Sequence, residues 1–197
     1  MARTQSEKYP EIRENILSQA AILFAEKGYS GTTIVDLAES CSSSRGALYH
    51  YFDSKEDILF HILKDHVDSL YGSVQESTND IDGPADQFRA IVRTIVLFNA
   101  RSQAEQIVLL NDLGELNADQ QAGIVNKQRK LTEIVSDTLI RIDVAHRLNM
   151  ENKKAYTMML FGMINYTFTW FNPDGPVSAE AYADMTSDTF LNGFLTS

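Results

Sequence analysis

The most constraining stretch of the chain is Thr33 to Lys55, TIVDLAESCSSSRGALYHYFDSK, because these 23 residues hold the start signals of three helices and the stop signals of two. Thr33 and Asp36 have the spacing of a capping box, in which a side-chain oxygen and a carboxylate three residues on satisfy each other's orphan backbone N–H groups. Ile34, Leu37 and Ala38 give the helix that follows one apolar face. Cys41-Ser42-Ser43 then supplies small turn residues whose side chains compete with continued helix. Ser44 caps a second helix, expected over Arg45 to Tyr51, with Ala47, Leu48 and Tyr51 inward and Ser44, Arg45, Tyr49 and His50 outward. Ser54 with Asp57 repeats the capping-box spacing and opens a third, long helix. Two short helices joined by a tight turn let the second enter a DNA major groove while the first braces it against the backbone.

Arg45-Gly46-Ala47-Leu48-Tyr49-His50-Tyr51-Phe52, followed by Asp53-Ser54-Lys55-Glu56-Asp57-Ile58-Leu59, closely resembles the signature of the TetR (tetracycline-repressor-like) family of bacterial transcription regulators. The likeness extends upstream through Ala21 to Tyr29 and Gly31-Thr32-Thr33, covering about residues 10 to 60. One departure stands in the turn: the family usually has Gly then an aliphatic residue where this chain has Ser42 and Ser43, and serine lacks glycine's ease at positive φ.

Further along, the pattern stays helical. Ile12, Ile16, Ala20, Leu23 and Phe24 recur at helical spacing before Gly28, which sits where a C-cap belongs. Ile58, Leu59, Ile62, Leu63, Val67, Leu70 and Val74 carry the third helix on for about 35 Å, long enough to connect two domains. Turn formers crowd Thr78 to Pro84, and three apolar-periodic segments follow at Ala85–Ala100, Gln103–Leu113 and Ala118–Ile142. Glu151–Phe171 is apolar around nearly its whole circumference, so as a helix it must be buried on more than one side. Asn172-Pro173-Asp174-Gly175-Pro176 stops it, Ser178 caps a last helix, and Tyr182, Met185, Phe190 and Phe194 give that helix a stripe. No segment alternates at period two. The fold class is therefore all-α: a helix-turn-helix DNA-binding domain over residues 1–55 and a helical ligand-binding and dimerisation domain over 56–197, about nine helices in all. Met1 to Pro10 reads as a loose arm that either touches a groove or is disordered.

Charge separates the two parts. Up to Lys55, six Lys/Arg face seven Asp/Glu, whereas the remainder has 11 against 20, so all but one unit of the net charge of −10 belongs to the C-terminal part. With so balanced a head, affinity for random DNA is expected to be weak, and dimerisation would double the contacts. No apolar run of 18 residues and no cationic start before an apolar stretch occur, so neither a membrane span nor an exported precursor is expected, and the chain is placed in the cytoplasm. Cys41 is the only cysteine, and His50, His61, His66 and His146 are scattered, with His61 and His66 about 140° apart on a helix, so no metal site is expected. No nucleophile elbow, phosphate loop or paired-carboxylate motif marks an enzyme.

Candidate DNA contacts follow from chemistry and position. Thr33, Tyr49, His50 and Lys55 are expected at phosphates, the first and last because helix N-termini already favour an anion. Ser43, Ser44, Arg45 and Gly46 are expected in the groove, Arg45 reading a guanine in bidentate fashion and Gly46 allowing close approach. Tyr49 has packing, and Ser44 capping, as the alternative role. The resemblance implies a homodimer built on the last two helices, a palindromic operator with half-sites about 34 Å apart, and an effector pocket among the middle helices. Leu109, Leu110, Leu113, Met159, Met163, Tyr166 and Trp170 are the candidates to line it, the last four lying at i, i+4, i+7 and i+11 if one helix carries them all. Core packing is the competing reading of that stripe.

The segment Met158 to Met185, notably Phe161 to Tyr166 and Trp170 to Pro176, is similar to the branch of the family that controls fatty-acid, steroid or aromatic-acid breakdown and answers to acyl-CoA thioesters. A coenzyme A would need cations, for which Lys127, Arg129 and Lys130 form the one tight cluster. The expected function is a ligand-responsive repressor released from a double-stranded DNA operator by a small hydrophobic effector, with no other cofactor. An architectural or division-linked DNA binder without an effector is the alternative.

Overall fold

A computed structural model describes residues 9–143, 147–172 and 174–196, with side chains through Gly193. The N-terminal arm through Lys8, His146, Pro173 and the side chain of Phe194 lie outside the described residues. Among those described there are nine α-helices and no strand: α1 Tyr9–Lys27, α2 Ile34–Ser40, α3 Arg45–Leu48, α4 Lys55–Glu76, α5 Pro84–Arg101, α6 Gln103–Asp112, α7 Ala118–Ile142, α8 Lys153–Asn165 and α9 Ala179–Thr196. They form two compact units.

The first unit takes the described residues up to His66 together with Ala104–Ile124. Its core joins Ile16, Ala20 and Phe24 of α1, Leu37 of α2, Leu48 of α3 and Ile58, Leu59 and Leu63 of α4, all but shut off from solvent. Ile12, expected in the row, is exposed, and Ala21 is buried instead. Gly28 ends α1 at φ 76°, a left-handed conformation that glycine adopts without penalty, and its N–H donates to Phe24 O at 2.9 Å. Segment 104–124 fastens to this unit by polar contacts of high sequence separation. Asn117 donates through both its N–H and Nδ2 to Glu56 Oε1 at 3.3 Å, and Ser30 Oγ lies 3.5 Å from Glu115 Oε1. Buried His66 Nε2 meets Gln106 Oε1 at 3.0 Å.

The second unit holds Val67–Gln103 with Val125–Ser197. Phe88, Ile91, Val92 and Ile95 of α5, Val135 and Leu139 of α7, Leu160 and Ile164 of α8 and Phe190 of α9 make its core. Arg93 of α5 reaches Asp184 of α9 at 3.4 Å, and Arg89 pairs with Asp188 one turn on. Tyr182 donates its hydroxyl to Met163 O at 2.7 Å, tying α9 to α8.

Two expectations need correction here. The apolar segment Glu151–Phe171 is not one helix: α8 ends at Asn165 and Tyr166–Thr169 tightens into a 3₁₀ turn. Tyr166 and Trp170 therefore leave the i, i+4, i+7, i+11 line on which they were placed with Met159 and Met163. Nor is that segment buried all round. Thr157, Leu160 and Ile164 are its only fully buried positions on α8, while Met158 and Met159 are exposed. On α9 the buried stripe runs through Ala183, Thr186, Ser187, Phe190 and Leu191, and Met185 points outward. Of the expected stripe, Phe190 is buried and Tyr182 packs on the core, but Met185 gives way to the small residues Ala183, Thr186 and Ser187, which hydropathy periodicity does not mark.

Candidate nucleic-acid interface

The reading head is built by its caps. Thr33 is the N-cap of α2 with both halves of a capping box: Asp36 N–H donates to Thr33 Oγ1 at 3.2 Å and Thr33 N–H to Asp36 Oδ2 at 2.8 Å. The Thr33 hydroxyl and N–H, with the Lys27 ammonium at 3.2 Å, hold the Asp36 carboxyl down to about 2. Ser44 Oγ caps α3 by accepting from Ala47 N–H at 3.2 Å. At α4, Asp57 N–H donates to Ser54 Oγ at 3.0 Å, but the Asp57 carboxylate reaches one residue further back than a capping box requires, to Asp53 N–H at 3.1 Å.

Between α2 and α3 the chain reverses at Ser42, whose φ of 49° is the one positive value at a non-glycine among the described residues. Its cost is offset by a net of backbone bonds: Cys41 N–H to Leu37 O at 3.1 Å, Ser42 N–H to Glu39 O at 3.0 Å and Ser43 N–H to Ala38 O at 2.8 Å. Half-buried Cys41 fills the turn, and burial pushes its thiol above the ordinary range.

Helix α3 is shorter than expected, Arg45–Leu48, with Tyr49–Tyr51 continuing as a turn. Leu48 and Phe52 plug it into the core, which leaves Ser43, Ser44, Arg45, Gly46, Tyr49 and His50 on one exposed surface. The Arg45 guanidinium has no hydrogen bond or ion pair among the described residues, so its five donors are available. Gly46 is equally informative, since a Cβ built there would meet nothing nearer than Ser44 Oγ at 4.0 Å. The fold does not demand glycine at that position.

Two of the eight expected DNA contacts have side-chain donors engaged inside the fold: Thr33, whose hydroxyl and N–H both donate to Asp36 Oδ2, and Lys55. The Lys55 ammonium donates to Tyr29 O and to Thr32 O, both at 2.8 Å, and stands 4.1 Å from the centre of the Tyr29 ring. It closes the α1–α2 loop onto the N-terminus of α4, with two of the three ammonium donors spent on backbone carbonyls. Sequence reading missed this because both acceptors are backbone carbonyls more than 20 residues away.

The expected effector residues are dispersed. Leu109 is buried, Leu113 half-buried and Leu110 exposed, all in the first unit. In the second, Met163 packs on the core, whereas Met159, Tyr166 and Trp170 are 61%, 64% and 58% exposed. Trp170 stands edge-on to Tyr182, 5.4 Å between ring centres. The three-cation cluster is also reduced: Lys127 pairs with Asp68 at 3.0 Å and lies 4.9 Å from the Tyr71 ring centre, leaving Arg129 and Lys130 exposed.

A capped three-helix head with an exposed reading surface, in a chain that also holds a second helical unit, defines a helix-turn-helix DNA-binding protein. Comparisons give the family. Residues 16–62 match the model for bacterial regulatory proteins of the tetR family, and residues 82–194 match a tetracyclin repressor-like C-terminal domain. The chain belongs to the TetR family of transcriptional regulators, which are not enzymes. It is 27% identical over 194 residues to the HTH-type transcriptional repressor KstR2 of Mycolicibacterium smegmatis, covering 94% of this chain and 91% of that one. Among solved structures, a TetR-family regulator from Bordetella parapertussis is 39% identical with a TM-score of 0.89, covering 94% of this chain and 97% of that one. AibR, solved in complex with isovaleryl coenzyme A and operator DNA, is 26% identical with a TM-score of 0.79, covering 90% and 97%. No helix among the described residues is long and apolar enough to cross a membrane.

Proposed function

We propose that this regulator is a cytoplasmic, dimeric repressor that holds a palindromic operator and is released by an acyl-CoA thioester. Residues 1–55 do the reading in this scheme, and 56–197 bind the effector and the second copy. The observation that carries the DNA half is the surface at α3: an unpaired arginine beside a glycine that the fold does not require, on a helix pinned by Leu48. Arg45 reads a guanine, Ser43, Ser44 and Gly46 line the groove, and Tyr49 and His50 set the register on phosphates, while Thr33, whose donors are held by Asp36, contributes the N-terminus of α2 that it caps. Lys55 contributes its helix N-terminus there and its side chain to the scaffold.

Support for the dimer lies in Met158, Met159, Tyr166, Trp170 and Met185, large apolar side chains left exposed on the α8–α9 part of a single chain. Covering such a patch with its own symmetry mate removes it from water at no cost in new sequence. Met159, Tyr166 and Trp170 fit that role better than the lining of an internal pocket. Support for the effector class is AibR, which binds isovaleryl coenzyme A and operator DNA. Genomic footprinting followed by operator release with a panel of acyl-CoAs tests the scheme. A footprint that persists under every acyl-CoA would leave a DNA binder with a different effector or none.

A further inference from the structure

Asn99 ends the buried row of α5, after Ile91, Val92, Ile95 and Val96, and is 6% exposed. Its Oδ1 is one of two buried side-chain oxygens with no hydrogen-bond partner among the described residues, the other being Gln120 Oε1. Two buried hydroxyls of the second unit are not in this state. Thr138 donates to Ile134 O at 2.8 Å and Thr157 to Lys153 O at 2.9 Å, each closing on its own helix. A leucine of nearly the same volume would fit an apolar row without leaving a carbonyl oxygen bare, so the amide is a liability to folding alone.

Effector sites join apolar residues to a few placed polar groups, and an unanswered buried amide at the end of the apolar core row of α5 is a polar group of that kind. A carboxamide offers an acceptor oxygen and two N–H donors in one plane, so its oxygen can accept from the N–H of one secondary amide while its own N–H donates to another carbonyl. The pantetheine arm of coenzyme A carries two secondary amides. We infer that Asn99 is the polar anchor of the effector site in the second unit, accepting a hydrogen bond from a pantetheine amide of an acyl-CoA thioester. This rests on the acyl-CoA reading above and assigns it a residue.

The test is calorimetry of the full chain against isovaleryl-CoA and medium- and long-chain acyl-CoAs, with Asn99→Leu and Asn99→Ala, alongside melting curves without ligand. Wild type should bind at least one thioester. Asn99→Leu should bind it at least about tenfold more weakly while melting at the same temperature or higher, a combination that a structural amide would not give. If wild type binds and both variants bind equally well, Asn99 serves only a buried water and the anchor is refuted while the acyl-CoA reading stands. A sharp fall in melting temperature for both variants would make the amide structural and refute the anchor too. No binding by wild type would overturn the effector class, and the anchor with it.

Discussion

Replacing Lys55 by methionine separates two roles that the same residue could play. Methionine keeps the length and apolar stem but removes the ammonium that donates at 2.8 Å to Tyr29 O and Thr32 O. Tyr29 O retains a second donor, Thr32 N–H at 3.2 Å, whereas Thr32 O keeps none. One orphaned carbonyl costs about 1–3 kcal/mol, and loss of the cation over the Tyr29 ring about 0.5–1 kcal/mol. Lys55→Met should therefore destabilise by about 1.5–4 kcal/mol, seen as a lower urea midpoint. Because the ammonium is engaged internally, the slope of log affinity against log salt on non-specific duplex should stay at the wild-type value. A lysine that neutralised a phosphate would behave in the opposite way. The slope would fall by about 0.9 per protomer and the urea midpoint would not move. That pair of results would refute the strut.

Gly46→Ala should leave the fold intact or raise its stability by up to about 1 kcal/mol, since alanine is the better helix former and its Cβ has room, while operator affinity in a gel-shift titration should fall. Arg45→Ala should relax preference at one base position at a cost of about 1–3 kcal/mol, measured on a library of operator variants, with stability unchanged. Ser42→Gly removes the left-handed penalty, about 1–2 kcal/mol, and restores about 0.5–1 kcal/mol of unfolded-chain entropy, for a net gain of no more than about 1.5 kcal/mol in denaturant unfolding. Burial pushes the His66 imidazole below its ordinary 6.5, so the folded chain prefers it neutral. Stability should be full above pH 6.5 and decline as pH falls through the lowered value, and His66→Gln should flatten that decline. Asp36, held at about 2, contributes above about 4 and is lost as pH falls toward 2.

What could be read from the sequence was local. Caps at Thr33, Ser44 and Ser54, the C-cap at Gly28 and the seven-residue row from Ile58 to Val74 involve partners within a turn or a repeat of 3.6, and each is found where that logic puts it. The strained turn at Ser42 was legible as a departure from glycine, though not its φ. What escaped was set by distant partners. Lys55 bonds to carbonyls across the α1–α2 loop, Lys127 is claimed by Asp68, and segment 104–124 joins the first unit through Glu56, Ser30 and His66. Helix ends decided the rest: the 3₁₀ turn after Asn165 breaks a stripe that periodicity alone would have continued to Trp170. Nothing in the sequence marks Asn99 as buried, because its burial depends on helices distant in the chain.

The central claim is that two copies of the α2–α3 head read base edges one duplex turn apart. Fluorescence anisotropy on a footprint-derived palindrome, against the same half-site with five base pairs inserted at the centre, tests it directly. The account predicts tight binding to the first at 150 mM salt and a loss of at least about a hundredfold on the second, because half a turn puts one head on the wrong face. Equal affinity for both duplexes would contradict it.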